Sequence, residues 1–314
     1  MSFLDELPKP FFALAPLDDV SDTVFRQIIT DCAKPDLFFT EFVNVDGLQS
    51  PGRDHLLHKL KLTDIEKPVI AQLWGLKPDN FYKTAQELAG IGFAGVDLNM
   101  GCPVKTVVKN GACAALINNR ELAGEIIDAT KEGAGSLPVS VKTRIGFTMV
   151  DMSWIEYLLS GKILNMLSIH GRTAKQMSKV PADWELIRQA REMRDSLSPD
   201  TLIVGNGDVM NRAHGLELAE EYNLDGVMVG RGIFHDPFAF AESSPWEGWS
   251  KEQKLDLFAK HIQLYIDTYK DNERRFEALR KFCKVYINGF EGASELRTQF
   301  MDAETSEQAQ DLIK

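Results

Sequence analysis

The chain has few cysteines, and they fall in no pairing pattern. Cys32, Cys102, Cys113 and Cys283 are widely spread and form neither a CxxC pair nor a Cys/His zinc spacing. That excludes a disulfide framework and a zinc module, and it fits a reducing, cytoplasmic setting without a bound metal. No apolar run approaches the ~20 residues needed to span a bilayer, so no membrane partner is expected. The opening MSFLDELPKP carries acids and no apolar core, so no secretory leader is expected. Positive charge is also scarce. Lys and Arg number 35 against 46 Asp and Glu, a formal net charge of -11, which argues against a protein coated in nucleic acid. A Walker GxxxxGK and a helix-opening GxGxxG are both missing, which excludes a P-loop and a Rossmann cradle.

What is present is an ordinary globular composition, 44% hydrophobic and 26% charged, over 314 residues. That length holds one α/β barrel of about 250 residues and a small extra domain. Strand-like and helix-like segments alternate. Strands are expected at 11–16, 37–42, 68–75, 94–99, 138–146, 163–172, 201–208 and 225–232. Helices are expected at 21–32, 78–90, 118–133, 151–161, 182–195 and 211–222. Eight βα units with short apolar strands predict a TIM (β/α)8 barrel, whose strands are buried on both faces and need not alternate. After Phe240 the character changes. ESSPWEGWS (242–250) reads as a linker, and from Lys251 onward the pattern is amphipathic helix. The expected domains are a barrel over 1–242 and a small all-helical domain over 243–314.

The stretch AGVDLNMGCP (94–103) organises the rest. It reads as a buried strand stopped by Gly101 and Pro103, which leaves Asn99 and Cys102 at its carboxyl end, where parallel α/β folds place their chemistry. The other expected strand tips carry Pro16, Glu41, Gln72, Lys142 with Arg144, His170 with Arg172, Asn206 with Asp208, and Arg231. Barrel interiors are normally filled by branched apolar side chains. A lysine inside VSVKTRIG is costly unless it meets solvent or an anion. Together these groups predict one site at the barrel mouth. GNGD (205–208) and VGRG (229–232) put glycines directly after the seventh and eighth strands, where TIM barrels bind phosphate. Arg231 adds charge there. A phosphate-bearing ligand beside a buried lysine and a set of amides suits flavin mononucleotide. Lys142 would face the N1/C2-oxygen edge, and Cys102 would stand above the ring to give or take a proton at carbon.

These residues also carry a family resemblance. VDLNMGCPVKTVVKNGACAAL (96–116), PVSVKTRIG, IHGRTAKQ, PADW, VGNGD and VMVGRG resemble the tRNA-dihydrouridine synthases. LAPLDDVSDTVFR (14–26) is similar to that family's start, and RKFCKVYINGFEGASELR (280–297) to its helical-domain motif. The resemblance implies a flavin enzyme that reduces a tRNA uridine at C5–C6, with NADPH reducing the FMN. By match to the motifs, Cys102 is the general acid at C5. Pro16 and Leu17 lie over the flavin. Gln72, Lys142 and His170 hold its ring and ribityl portion. Asn206, Gly207, Gly230 and Arg231 hold its phosphate end, and Asp18 and Asp208 join this cofactor set. Asn99 would contact the uracil edge, and Arg172 and Arg144 would line the substrate side. The implied partner is tRNA, and the chain is expected to be a monomer. Leu17 stands where the family usually has Met, QMSKVPADW lacks its Gln-Gly-Tyr, and Phe282 stands where its helical motif usually has His.

Three other readings compete. A dihydroorotate dehydrogenase would run similar pyrimidine chemistry, but it gives no reason for the helical tail. An aldolase or epimerase would use Lys142 or His170, leaving Cys102 and the amides unexplained. A non-enzymatic RNA-binding protein would use the tail alone. For RNA the sequence offers a local basic run at 270–284, with Lys270, Arg274, Arg275, Arg280, Lys281 and Lys284 set against Asp271, Glu273 and Glu277.

Overall fold

In a computed structural model describing residues 3–161, 164–270 and 273–313, nine strands form one parallel sheet. Eight build a barrel: β1 (Phe11–Leu14), β2 (Leu37–Phe39), β3 (Val69–Trp74), β4 (Gly95–Met100), β5 (Val139–Arg144), β6 (Met166–His170), β7 (Leu202–Asn206) and β8 (Gly226–Val229). The ring closes because β1 pairs with β2 and β8, and β2 pairs with β3. A two-residue strand, Val43–Asn44, adds to the carboxyl end of β3. The TIM barrel expected from the sequence is the fold, with strands shorter than their apolar runs. Ile163, where the sixth strand was expected to start, lies outside the described residues, as does Asp271 of the basic run.

Helices Thr23–Ala33, Pro78–Leu88, Arg120–Ala134, Met152–Gly161, Trp184–Leu197 and Arg212–Glu221 match the six expected. Asp22, Asn119, Asp183 and Asn211 cap four of them by accepting a backbone N–H of the first turn. The regular series of eight βα units needs correction twice. After β2 the chain makes only the short helix Val45–Leu48 and three 3-10 turns, and after β8 only the 3-10 turn Arg231–Phe234. Helix Lys251–Thr268, opened by a Ser250–Gln253 capping box, packs against Thr23–Ala33 instead.

Strand side chains alternate between two environments. Phe12, Leu14, Val96, Leu98, Val139, Val141, Leu167, Ile169, Ile203 and Val227 face the helices in the larger apolar cluster. Phe11, Ala13, Leu37, Phe39, Ile70, Met166, Leu202, Val204 and Met228 fill the barrel floor in a second cluster. Above that floor the inward positions turn polar, so β4, β5 and β6 do alternate. Their helix-facing residues are apolar except Thr143, which accepts from Trp154 Nε1, while Asp97, Asn99, Ser140, Lys142, Ser168 and His170 point into the barrel.

No strand follows Val229 among the described residues, and the C-terminal part is helical. The expected linker is packed, not loose. Trp246 is buried, 5.3 Å from the Trp249 ring and 6.4 Å from Tyr286. Phe282 packs 4.9 Å from Phe25 of the barrel and 4.6 Å from His261. Two cations of the basic run tie this seam: Arg274 is buried and donates to Glu41 at 2.7 Å, and Lys281 pairs with Asp19 at 2.7 Å, while Arg280 donates within the tail to the Ala303 carbonyl at 2.8 Å. Lys270, Arg275 and Lys284 stay exposed.

Candidate active site

The mouth of the barrel opens into a cleft of ≈ 620 Å³, a usual size for a cofactor site. Strand register builds its floor row by row. Gln72, Asp97 and Ser140 share one row of β3, β4 and β5, Asn99, Lys142 and Ser168 the next row of β4, β5 and β6, and Arg144, His170 and Asn206 the row above on β5, β6 and β7.

In the lowest row the buried Asp97 carboxylate accepts from Gln72 Nε2 at 2.7 Å and Ser140 Oγ at 2.5 Å. Gln72 Oε1 accepts from Asn99 Nδ2 at 3.0 Å. Asn99 Oδ1 then accepts the backbone N–H groups of Gly101 at 3.1 Å and Cys102 at 3.0 Å. The Gly-Cys-Pro turn is therefore tied to the floor through side chains. Arg144 Nε donates to the Gly101 carbonyl at 2.7 Å and holds the same turn from the other side. Burial pushes the Asp97 carboxyl up to about 6. Burial also raises the Cys102 thiol above its ordinary value and keeps it protonated at neutral pH.

Lys142 lies in the second row. Its ammonium donates to Asn206 Oδ1 at 3.0 Å, while Asn206 Nδ2 is fixed to the Met228 carbonyl at 2.9 Å. Burial, then the neighbouring Arg144 charge, brings the Lys142 ammonium down to about 8. No carboxylate lies within ion-pair distance of it among the described residues. A buried ammonium bonded only to a neutral amide calls for an electron-rich group beside it.

His170 is held neutral by burial and by the Arg144, Lys142, Arg172 and Arg231 charges. Arg172 Nη1 donates to His170 Nε2 at 3.1 Å, which assigns the ring proton to Nδ1. Arg172 is buried, and its other terminal nitrogen forms a short pair with Asp208. Asp208 also accepts from Ala182 N at 2.9 Å and faces Arg231 at 3.5 Å. Gly207 has φ 130, and a Cβ there would stand 2.5 Å from Ala182 Cβ, so only glycine fits. A Cβ on Gly230 would approach only Ala15, at 3.8 Å, which leaves that backbone open to the cleft.

All but one of the site residues expected from the sequence line this cleft: Pro16, Leu17, Asp18, Gln72, Asn99, Cys102, Lys142, Arg144, His170, Arg172, Asn206, Gly207, Asp208, Gly230 and Arg231. Several do more local work than expected. Asn99 uses both ends of its amide inside the protein. Arg144 also donates to the Thr173 and Met177 carbonyls at 3.2 and 3.3 Å. Asp18 pairs with Lys59 at 2.5 Å. Glu41, expected at the mouth, is not in the cleft, because Arg274 of the helical tail turns it into the seam. Cys113 is buried beneath the turn at φ 53 and lines nothing.

The sequence reading passed over Asp97, Ser140, Met177, Met210 and His235, the last three being part of the cleft wall. Asp97 had a signal, an acid between Val96 and Leu98 in a buried strand, where a carboxylate must find donors. The wall residues sit in loops whose course only the fold defines.

The family model described as "Dihydrouridine synthase (Dus)" matches residues 13–314. A Staphylococcus aureus (strain COL) protein named "Probable tRNA-dihydrouridine synthase" is 49% identical over 315 residues, covering 99% of this chain and 94% of that protein. "Probable tRNA-dihydrouridine synthase 2" of Bacillus subtilis (strain 168) is 47% identical, covering 99% and 95%. Among solved structures, "Morphinone reductase" superposes with a TM-score of 0.53 at 13% identity, covering 75% of this chain and 86% of that one, a likeness of fold.

Proposed function

The chain belongs to the dihydrouridine synthase family and is a flavin-dependent oxidoreductase, and from that premise we propose that it is a tRNA-dihydrouridine synthase working with FMN, NADPH and the Cys102 thiol. The observation that carries this reading is the single cleft in which Cys102, Lys142, His170 and Arg231 all stand. The cleft residues fit FMN. The Lys142 ammonium has no anionic partner among the described residues, and Gly207, Gly230 and Arg231 form a phosphate cradle after β7 and β8. When bound, FMN supplies the hydride that reaches C6 of the uracil, after reduction by NADPH.

The chain's own residues then have separate tasks. Lys142 stabilises negative charge on the N1/C2-oxygen edge of the ring. Gln72 and His170 Nδ1 complete the polar contacts to the ring and ribityl portion, and Pro16 and Leu17 cover it. Asp18 belongs to the same wall, and Asp208 keeps Arg172 and Arg231 in place. Cys102 delivers its proton to C5 from the opposite face and is recharged from solvent, since it is only half-buried. Asn99 has one amide hydrogen left for the uracil edge. Arg144 and Arg172 border the substrate side. Residues 1–242 are the catalytic domain and 243–314 a helical domain that takes part in tRNA binding, in a cytoplasmic monomer.

The test uses protein purified without added flavin. It should release FMN, not FAD, on denaturation. NADPH should bleach the bound flavin without air, and tRNA lacking dihydrouridine should restore its colour while gaining dihydrouridine. A protein that takes up no FMN, or whose reduced flavin ignores tRNA, sinks this reading.

A further inference from the structure

Three stretches of this acidic chain, 98–120, 138–150 and 164–182, hold eight Lys and Arg residues and no Asp or Glu. They are the strands and following loops of β4, β5 and β6. Arg120 pairs with Asp151, and Lys142, Arg144 and Arg172 face the cleft. The remaining four, Lys105, Lys109, Lys175 and Lys179, are exposed on the loops after β4 and β6 and make no ion pair or side-chain hydrogen bond among the described residues. Val104, next to Lys105, and Ser178, next to Lys179, line the cleft, as does Met177, two residues from Lys175 and from Lys179. Lys105 and Lys109 are four apart on the short helix Lys105–Lys109, so they share a face.

We propose that this rim, Lys105, Lys109, Lys175 and Lys179 with the exposed apolar Val104, Met177 and Val180 on the same two loops, is the surface on which the RNA backbone docks while its uridine enters the cleft. The inference rests on the proposed function and adds where the phosphates sit. The occupant follows from charge. Free ammonium groups beside a cleft that accepts a nucleobase complement a phosphate backbone, and local field decides docking even on a chain of net charge -11. The apolar side chains between them offer contact to bases next to the one withdrawn from its stack. The tail's basic run is the weaker candidate, because Arg274, Arg280 and Lys281 are occupied by Glu41, the Ala303 carbonyl and Asp19.

The test compares three full-length, flavin-loaded proteins: wild type, Lys105→Gln/Lys109→Gln/Lys175→Gln/Lys179→Gln, and Lys270→Gln/Arg275→Gln/Lys284→Gln. Binding of unmodified tRNA is measured from low to moderate salt, with Tm and flavin content checking that each protein is folded. The rim variant should lose about 10- to 100-fold in affinity, and its log–log salt slope should fall by about one per lysine removed, about four in all. The tail variant should change less. If the rim variant keeps wild-type affinity and slope, the surface is wrong while the enzymatic reading stands. If wild type binds no tRNA, that reading fails with it. Loss of binding to phosphatidylglycerol vesicles with tRNA binding intact would assign the rim to a membrane and overturn the proposal.

Discussion

Gln72 donates to Asp97 at 2.7 Å, and this bond sets the direction of every hydrogen bond up to the Cys102 turn. An ionised carboxylate only accepts. Gln72 must therefore turn its NH2 group down and its oxygen toward Asn99, which must donate. Asn99 is then left with its oxygen for the N–H groups of Gly101 and Cys102. One buried acid thus holds the Cys102 turn.

Asp97→Asn should disturb that direction, because an amide can donate to Gln72 and reverse the chain. FMN should still bind, and NADPH should still reduce it. Reoxidation by tRNA should slow by about 10²-fold, the cost of a misplaced reacting group. Wild type should show the same loss as pH falls through about 6, where Asp97 takes up a proton. Rapid mixing of reduced enzyme with tRNA across pH checks both. A variant as fast as wild type would mean the turn does not need this chain.

Cys102→Ala should bind FMN and tRNA and accept electrons from NADPH, with reoxidation by tRNA slowed by ~10²–10⁴-fold, the worth of a positioned acid. Cys113→Ala should react at close to the wild-type rate, since that thiol is buried away from the cleft. Equal rates for Cys102→Ala and wild type would place the acid elsewhere.

Arg274→Ala should act on stability before binding. It leaves Glu41 buried without its main partner and Asp22, which burial raises to about 6, without the Arg274 cation that stands 3.5 Å away. Breaking such a pair costs about 3–5 kcal/mol. Arg274→Ala combined with Glu41→Gln should recover part of that loss. Thermal unfolding of wild type and the two variants measures the effect. A single variant as stable as wild type would show that the seam does not depend on this pair.

FMN affinity of the flavin-free protein should fall as pH rises through about 8. Lys142 has a folded value below its ordinary one, so it loses its proton in that range, and the neutral amine no longer attracts the electron-rich ring edge. Lys142→Gln should bind more weakly at pH 7 and show no such step. Titration of FMN by fluorescence quenching at several pH values decides it. A step of equal size in Lys142→Gln would assign the titration to another group.

The barrel and its cleft were legible in the sequence because the signals are local. Each short apolar run ends in a polar tip, and closing a parallel ring brings all carboxyl ends to one mouth. Gly207 and Cys102 could be read from their turns alone. What only the tertiary structure decided are the partners of charges. Arg274 looked like a free cation in a basic run and is a buried tie to Glu41, 233 residues away. Asp97 looked like part of a strand and is the anchor of the Cys102 turn. Lys105 and Lys179 drew no attention and stand next to cleft-lining residues with no ion pair among the described residues. Periodicity and turn chemistry fix which face a side chain takes. Which opposite charge comes within 3–4 Å depends on how distant segments pack, and one chain's pattern does not encode that locally.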